Sequence, residues 1–248
     1  MGKYISFAIL LAIKAVSMTF FRLRGRDIRG GPVPGRPWKR VRVIVFLNHT
    51  SLYEPIFAAA VPNRLLWEIA KRAVVPAAEK TLNRPIVGRF FKVVIPHPVS
   101  ITREADHTWD TMLSRIDSDS MVLILPEGRM RRRTGLDVNG RPMTARGGIA
   151  DILRVIDDGQ LLMAYSGGLH HVQMPGQLFP RLFRTVRMNF ELLEIADYKA
   201  EMAATGGRAE AGFKNAVKAD LDRRRDLYSP MTPESTRQPA AGAGSEAG

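Results

Sequence analysis

Residues 41–55 read Val-Arg-Val-Ile-Val-Phe-Leu-Asn-His-Thr-Ser-Leu-Tyr-Glu-Pro, and no other stretch constrains the chain as much. Val41 to Leu47 is β-branched and apolar, the composition of a buried strand. Asn48 ends it and leaves His49 where strand gives way to loop. Glu54 follows five residues on, beside Pro55, which is well tolerated in a helix's first turn. Residues 56–61 can continue that helix. A strand–turn–helix corner folds the chain back, so the Glu54 carboxylate can meet the His49 ring. A carboxylate on one ring nitrogen fixes the tautomer and raises the basicity of the other, which can then take a proton from a hydroxyl. A plainer reading stands beside it: a helix-capping Glu and a solvated loop His. With 24 acidic residues in 248, such a spacing arises easily by chance.

A second segment strengthens the first. Residues 122–129 read Val-Leu-Ile-Leu-Pro-Glu-Gly-Arg, again an apolar strand ending in a polar turn, and Arg131, Arg132, Arg133, Thr134 and Gly135 follow. Asn48-His49-Thr50-Ser51-Leu52-Tyr53-Glu54 followed by Pro126-Glu127-Gly128-Arg129 resembles the glycerolipid (lysophosphatidate-type) acyltransferase superfamily. That family carries a His, four residues, then usually Asp, and later a block reading roughly Pro-Glu-Gly-Thr-Arg-Ser. The resemblance covers roughly residues 41–165. Glu54 stands where Asp is usual, one methylene further from the backbone; related lauroyl-transferring enzymes carry Glu there. Gly-Thr-Arg-Ser has become Gly128-Arg129-Met130-Arg131, which leaves two arginines as candidates for one role. In the family's fourth block a proline usually lines the acyl pocket; here Met163-Ala164-Tyr165-Ser166-Gly167-Gly168 stands instead.

The resemblance implies roles. His49 would be the general base, Glu54 its orienting acid. Backbone N–H groups near Gly128 would face the oxyanion. Arg129 or Arg131, with Arg103, would hold an acceptor phosphate; for Arg103 a plain surface arginine is the alternative. Glu127 would either accept a hydrogen bond from the acceptor or brace its loop. No metal and no cofactor is implied, only acyl-CoA or acyl-carrier protein as co-substrate. The acceptor would be lysophosphatidate (1-acylglycerol 3-phosphate), with glycerol 3-phosphate, a lyso-aminolipid or a glycolipid as alternatives.

Composition narrows the partners. The chain has 37 Lys and Arg against 24 Asp and Glu, a formal charge of +13, so its surface suits an anionic partner. Without cysteine there is no disulfide, no thiolate zinc site and no Cys nucleophile. No zinc-finger spacing or aromatic-studded basic motif supports nucleic acid. A non-catalytic basic protein bound to membranes or nucleic acid is the reading from another class.

The remaining segments give an α/β chain: a mixed central sheet flanked by helices, behind an N-terminal membrane-associating helix. Residues 5–21 are apolar but for Lys14, slightly short of the ~20 residues of a bilayer span. Lys3, Ser6, Lys14, Ser17 and Arg24 fall on one arc, so the segment reads as a helix lying in the membrane interface, with a tilted span second and a buried soluble helix third. Arg22, Arg24, Arg26 and Arg29 then suit anionic headgroups and favour the cytoplasmic face. Residues 1–29 are thus an anchor with a basic flank, 30–37 a Gly/Pro linker, 38–228 the acyltransferase domain and 229–248 a disordered tail.

Within the domain, residues 63–75 read as a helix or as a strand over 65–70. His97, between prolines, reads as a loop residue and His107 as a helix-surface residue. Residues 105–116 form an amphipathic helix with Trp109, Met112, Leu113 and Ile116 on one face. Gly147-Gly148 open another helix, suiting either an anion or close packing. Residues 161–165 and 185–195 are strands, the latter half-buried and antiparallel or at an edge. Residues 209–227 form a closing helix. Adjacent His170 and His171 point apart, which argues against a shared metal.

Overall fold

The computed structural model describes residues 2–29, 38–51, 53–85, 87–95, 97–101, 107–137, 139–174, 177, 179–207 and 209–230. Linker residues 30–37, Arg103 and tail residues 231–248 lie outside these. The strands are β1 (Arg22–Asp27), β2 (Val41–Leu47), β3 (Ala73–Ala78), β4 (His97–Ile101), β5 (Met121–Ile124), β6 (Gln160–Ser166) and β7 (Thr185–Glu194). The helices are α1 (Gly2–Phe20), α2 (Asn63–Arg72), α3 (Glu79–Leu82), α4 (Val87–Val94), α5 (His107–Ser114), α6 (Gly148–Val155), α7 (Ile195–Gly206) and α8 (Glu210–Tyr228), with 3-10 turns at Trp38–Arg40 and Glu54–Ala60.

One seven-stranded mixed sheet runs in the order β1-β7-β6-β2-β5-β3-β4. β6, β2, β5, β3 and β4 are parallel to one another; β7 is antiparallel to β6, and β1 pairs parallel with β7. β2 therefore sits at the centre, and its Val-Ile-Val-Phe-Leu run is the composition a strand covered on both faces needs. On one face Val43, Val45, Leu47, Val122, Leu161 and Met163 pack under α5, α6, α7 and α8. Full burial of each such side chain contributes about 1.5–3 kcal/mol.

The opposite face is covered more loosely, by the 3-10 turn Glu54–Ala60, α1, α2 and α4. α1 is oriented unusually. Its polar Ser6 and Ser17 are buried against the body, and Lys14 Nζ donates to Val61 O (2.7 Å) and Asn63 Oδ1 (2.8 Å). Tyr4, Ile5, Ala8, Ala12, Ala15, Val16 and Met18 point outward. Of the polar arc read from sequence, Ser6, Lys14 and Ser17 face the protein, together with Leu10, while Lys3 is exposed and Arg24 lies in β1. Among the described residues α1 is the one helix long and apolar enough to cross a membrane.

Several local expectations need correcting. Residues 22–27 are not merely a flank: they form β1, in register with β7 from Arg22–Thr185 to Asp27–Phe190. His97 is not in a loop; it opens β4. Of the two readings of residues 63–75 the helix holds, as α2 over Asn63–Arg72, which runs straight into β3. α7 lies where no helix was expected.

Candidate active site

The carboxyl ends of β2 and β5 lie side by side. In an open sheet that is where loops diverge and a crevice forms. After β2 the chain turns at once, because Asn48 adopts φ +64, a left-handed conformation that Asn tolerates better than most residues. Its Nδ2 donates to Ser166 O at 2.8 Å, tying the turn to β6. His49 then projects toward the 3-10 turn that begins at Glu54.

Glu54 Oε2 lies 2.9 Å from His49 Nδ1. The approach is off the ring N–H axis, so the contact is an ion-pair distance without a linear hydrogen bond. The other oxygen, Oε1, accepts from the backbone N–H groups of Thr50 (2.8 Å) and Ser51 (2.9 Å). One carboxylate thus closes its own loop and faces the imidazole. With Nδ1 turned to Glu54, Nε2 is the nitrogen left for a substrate. Burial pulls the His49 pKa down, but Glu54, by contact and by charge, and the charge of Glu127 outweigh it; the net pKa lies above the ordinary 6.5.

Glu127, expected to touch the acceptor or brace its loop, takes the second role. Its carboxylate is buried behind the turn, where Oε2 accepts from His49 N (2.8 Å) and Oε1 from Asn48 N (3.2 Å). Arg225 Nη1 of α8 lies 3.5 Å from Oε1 and also donates to Met143 O (2.9 Å) and Asp222 Oδ1 (2.7 Å). Burial raises the Glu127 pKa above the usual carboxylate range, against the opposing pull of the His49 N–H and Arg225. The loop is also held from the other side, since Arg131 N donates to His49 O at 2.7 Å.

Gly128 has φ +66, which favours glycine. Its own N–H donates to Leu125 O at 3.1 Å, so that group is already engaged. The two candidate phosphate arginines turn away from the cleft. Arg129 pairs with Asp137, eight residues on in the same loop. Arg131 has Asp226 of α8 at 4.0 Å. Neither lines the cavity described next.

A cavity of about 660 Å³ is lined by His49, Glu54 and Gly128. Ligand clefts usually hold ~300–1,000 Å³. Its walls are apolar: Ile44, Phe46, Leu123 and Ala164 from the sheet, Phe57 and Leu65 opposite, with Leu10 and Ile13 of α1. Two cations not singled out from the sequence, Arg146 and Lys214, also line it. Arg146 packs over Gly128, where an added Cβ would lie 3.2 Å from its Nε. Lys214 Nζ lies 3.1 Å from both oxygens of Asp151, which also accepts from Trp109 Nε1. Gly147 and Gly148 do open α6, and close packing explains them: a Cβ would fall 2.0 Å from Lys214 Cε and 2.7 Å from Trp109 Cη2 respectively. His170 and His171 do point apart, their Nε2 atoms meeting Arg131 O and Thr185 O.

Comparison with known proteins bears on this geometry. The crystal structure of the 1-acyl-sn-glycerophosphate (LPA) acyltransferase PlsC from Thermotoga maritima shares the fold, with a TM-score of 0.52 at 15% identity, covering 89% of this chain and 80% of that one. No curated protein sequence matches. The family model for acyltransferases matches residues 34–173, which hold His49, Glu54, the Glu127 turn and Arg146. With a histidine held by a carboxylate in the lining of an apolar cleft, and an acyltransferase family match over more than half of the chain, this protein belongs to the acyltransferase family.

Proposed function

We propose that this acyltransferase moves a fatty acyl group from acyl-CoA or acyl-carrier protein to the free hydroxyl of lysophosphatidate, at the cytoplasmic face of a membrane. One observation carries the reading: the His49–Glu54 pair lines a largely apolar cavity that two cations also line. A thioester's acyl chain suits the apolar walls. Of the cations named, Arg146 and Lys214 line the cavity, and an acceptor phosphate would share Lys214 with Asp151.

His49 Nε2 removes the hydroxyl proton as the oxygen attacks the thioester carbonyl. Glu54 stabilises the imidazolium that forms. Collapse of the tetrahedral intermediate breaks the carbon–sulfur bond, and the departing thiolate takes the proton back from His49. Glu127 keeps the backbone of residues 48 and 49 in place through both steps. The membrane part of the reading rests on α1, whose outward face is apolar, and on the arginines that follow it.

The test is thiol release from a long-chain acyl-CoA, offered with lysophosphatidate, glycerol 3-phosphate and lyso-aminolipids in turn. Lysophosphatidate should be the best acceptor, and His49→Ala should lose at least ~100-fold in rate. A faster reaction with another acceptor overturns the choice of acceptor. An unchanged rate in His49→Ala overturns the mechanism.

A further inference from the structure

Between β6 and β7 the chain makes a long excursion that ends in Phe179-Pro180-Arg181-Leu182-Phe183-Arg184. Its apolar side chains are turned out: Phe179 is 78% exposed, Phe183 67% and Leu182 44%. Phe183 is held outward at φ +57, a conformation that costs a bulky side chain roughly 1–2 kcal/mol and that the local fold must enforce. The enforcement is visible. Phe183 N donates to Phe20 O at 2.7 Å, and Arg22 N to Arg184 O at 3.0 Å, so the tip is bonded to the carboxyl end of α1. The rings of Phe20 and Phe183 lie 6.1 Å apart. Ile5, Ile9, Val16 and Phe20 fall within an arc of about 60° on α1, and the Phe183 ring extends that stripe.

Charge points the same way. No Asp or Glu occurs before Asp27, or between Asp158 and Glu191. The two segments that meet at Phe20 and Phe183 bring Arg22, Arg24, Arg181 and Arg184 instead, all exposed. Aromatic tips set between arginines, with no carboxylate near them in sequence, suit one kind of occupant: apolar groups dip below the headgroups while guanidinium groups bind phosphates.

We propose that residues 179–184 form a second lipid contact, inserting Phe179, Leu182 and Phe183 into an anionic bilayer beside α1. The proposal rests on the membrane reading above. It adds a second point of attachment beside the outward apolar face of α1.

The chain has no cysteine, so one introduced thiol is a unique label site. Phe183→Cys, Val16→Cys and Ser118→Cys, each carrying an environment-sensitive fluorophore, would be mixed with phosphatidylcholine–phosphatidylglycerol vesicles bearing nitroxide lipids. Positions 183 and 16 should be quenched and Ser118, exposed in a turn before β5, should not. The double variant Phe179→Ser, Leu182→Ser should lower vesicle binding about tenfold or more. Quenching at 16 without 183 overturns the loop contact and leaves the membrane reading intact. Quenching at neither overturns both, and quenching at 118 as well means undirected adsorption, which also overturns the proposal. So does self-association of the unlabelled chain without lipid that the double variant abolishes, since the surface would then belong to a second copy.

Discussion

Replacing Glu54 by Gln removes a charge without removing the shape around it. Oε1 of the amide can still accept from Thr50 N and Ser51 N, so the loop should keep its course. Two things change at the ring. First, the imidazolium formed during proton transfer loses its counter-charge. Oε2 lies 2.9 Å from Nδ1, and both side chains are mostly buried, 16% and 11% exposed. At ~4 Å between charge centres and an effective dielectric constant of ~20, the attraction is about 4 kcal/mol, or roughly three powers of ten in rate. Second, the amide can donate to Nδ1, which favours the tautomer with its proton on Nε2, the nitrogen that must accept. Thiol release at saturating acyl-CoA and lysophosphatidate should therefore fall about 10³-fold, with little change in KM. The pH profile gives an independent sign. Glu54 holds the His49 pKa up against burial, so its loss lets that pKa fall. The reactive form is neutral, so the rate rises as pH passes the His49 pKa, and in Glu54→Gln that rise should move to lower pH. Glu54→Asp, which keeps the charge, should retain substantial activity. A Glu54→Gln enzyme within ~10-fold of wild type, with its acidic limb unmoved, would refute the assigned role.

Two further outcomes follow from the packing. Arg225→Met strips the cation from beside the buried Glu127, and breaking a buried pair from one side should cost about 3 kcal/mol; chemical denaturation should show it, with Arg225→Lys losing less. Ala164→Phe fills part of the cleft wall and should shift the preferred acyl-CoA to shorter chains. Each methylene excluded from the cavity is worth ~0.8 kcal/mol, about fourfold in kcat/KM, across a series of chain lengths.

The parts of this architecture legible in sequence are those whose cause is local. β2 beyond Arg42, β5, and β6 between Gln160 and Ser166 are buried on both faces and read as apolar runs; β7 alternates because it is only half covered. β1 was not legible: Arg22, Arg24 and Arg26 alternate with Leu23 and Gly25, and pairing with β7, far along the chain, is what makes them a strand. β3 hides behind Pro76, which a strand tolerates here because β5 pairs only with Ala73 and Val74. The His49–Glu54 pair follows from five residues of spacing and was found. Arg129 and Arg131, expected at a phosphate, do not line the cavity. Arg129 is captured by Asp137, a carboxylate visible in the same loop, whereas Lys214 and Arg225 arrive from α8 by tertiary packing that no local pattern announces.

Leu10 and Ile13 belong to the segment a biochemist would trim first to obtain a solubilised enzyme. Those same residues are a wall of the chamber beside the imidazole. Under the proposed function, a shortened chain would keep His49 and Glu54 yet lose part of the cavity wall, leaving the space assigned to the acyl chain open to water. Detergent would then compete for the very space the substrate needs, and weak turnover by such a preparation would reflect a missing wall rather than a faulty catalyst.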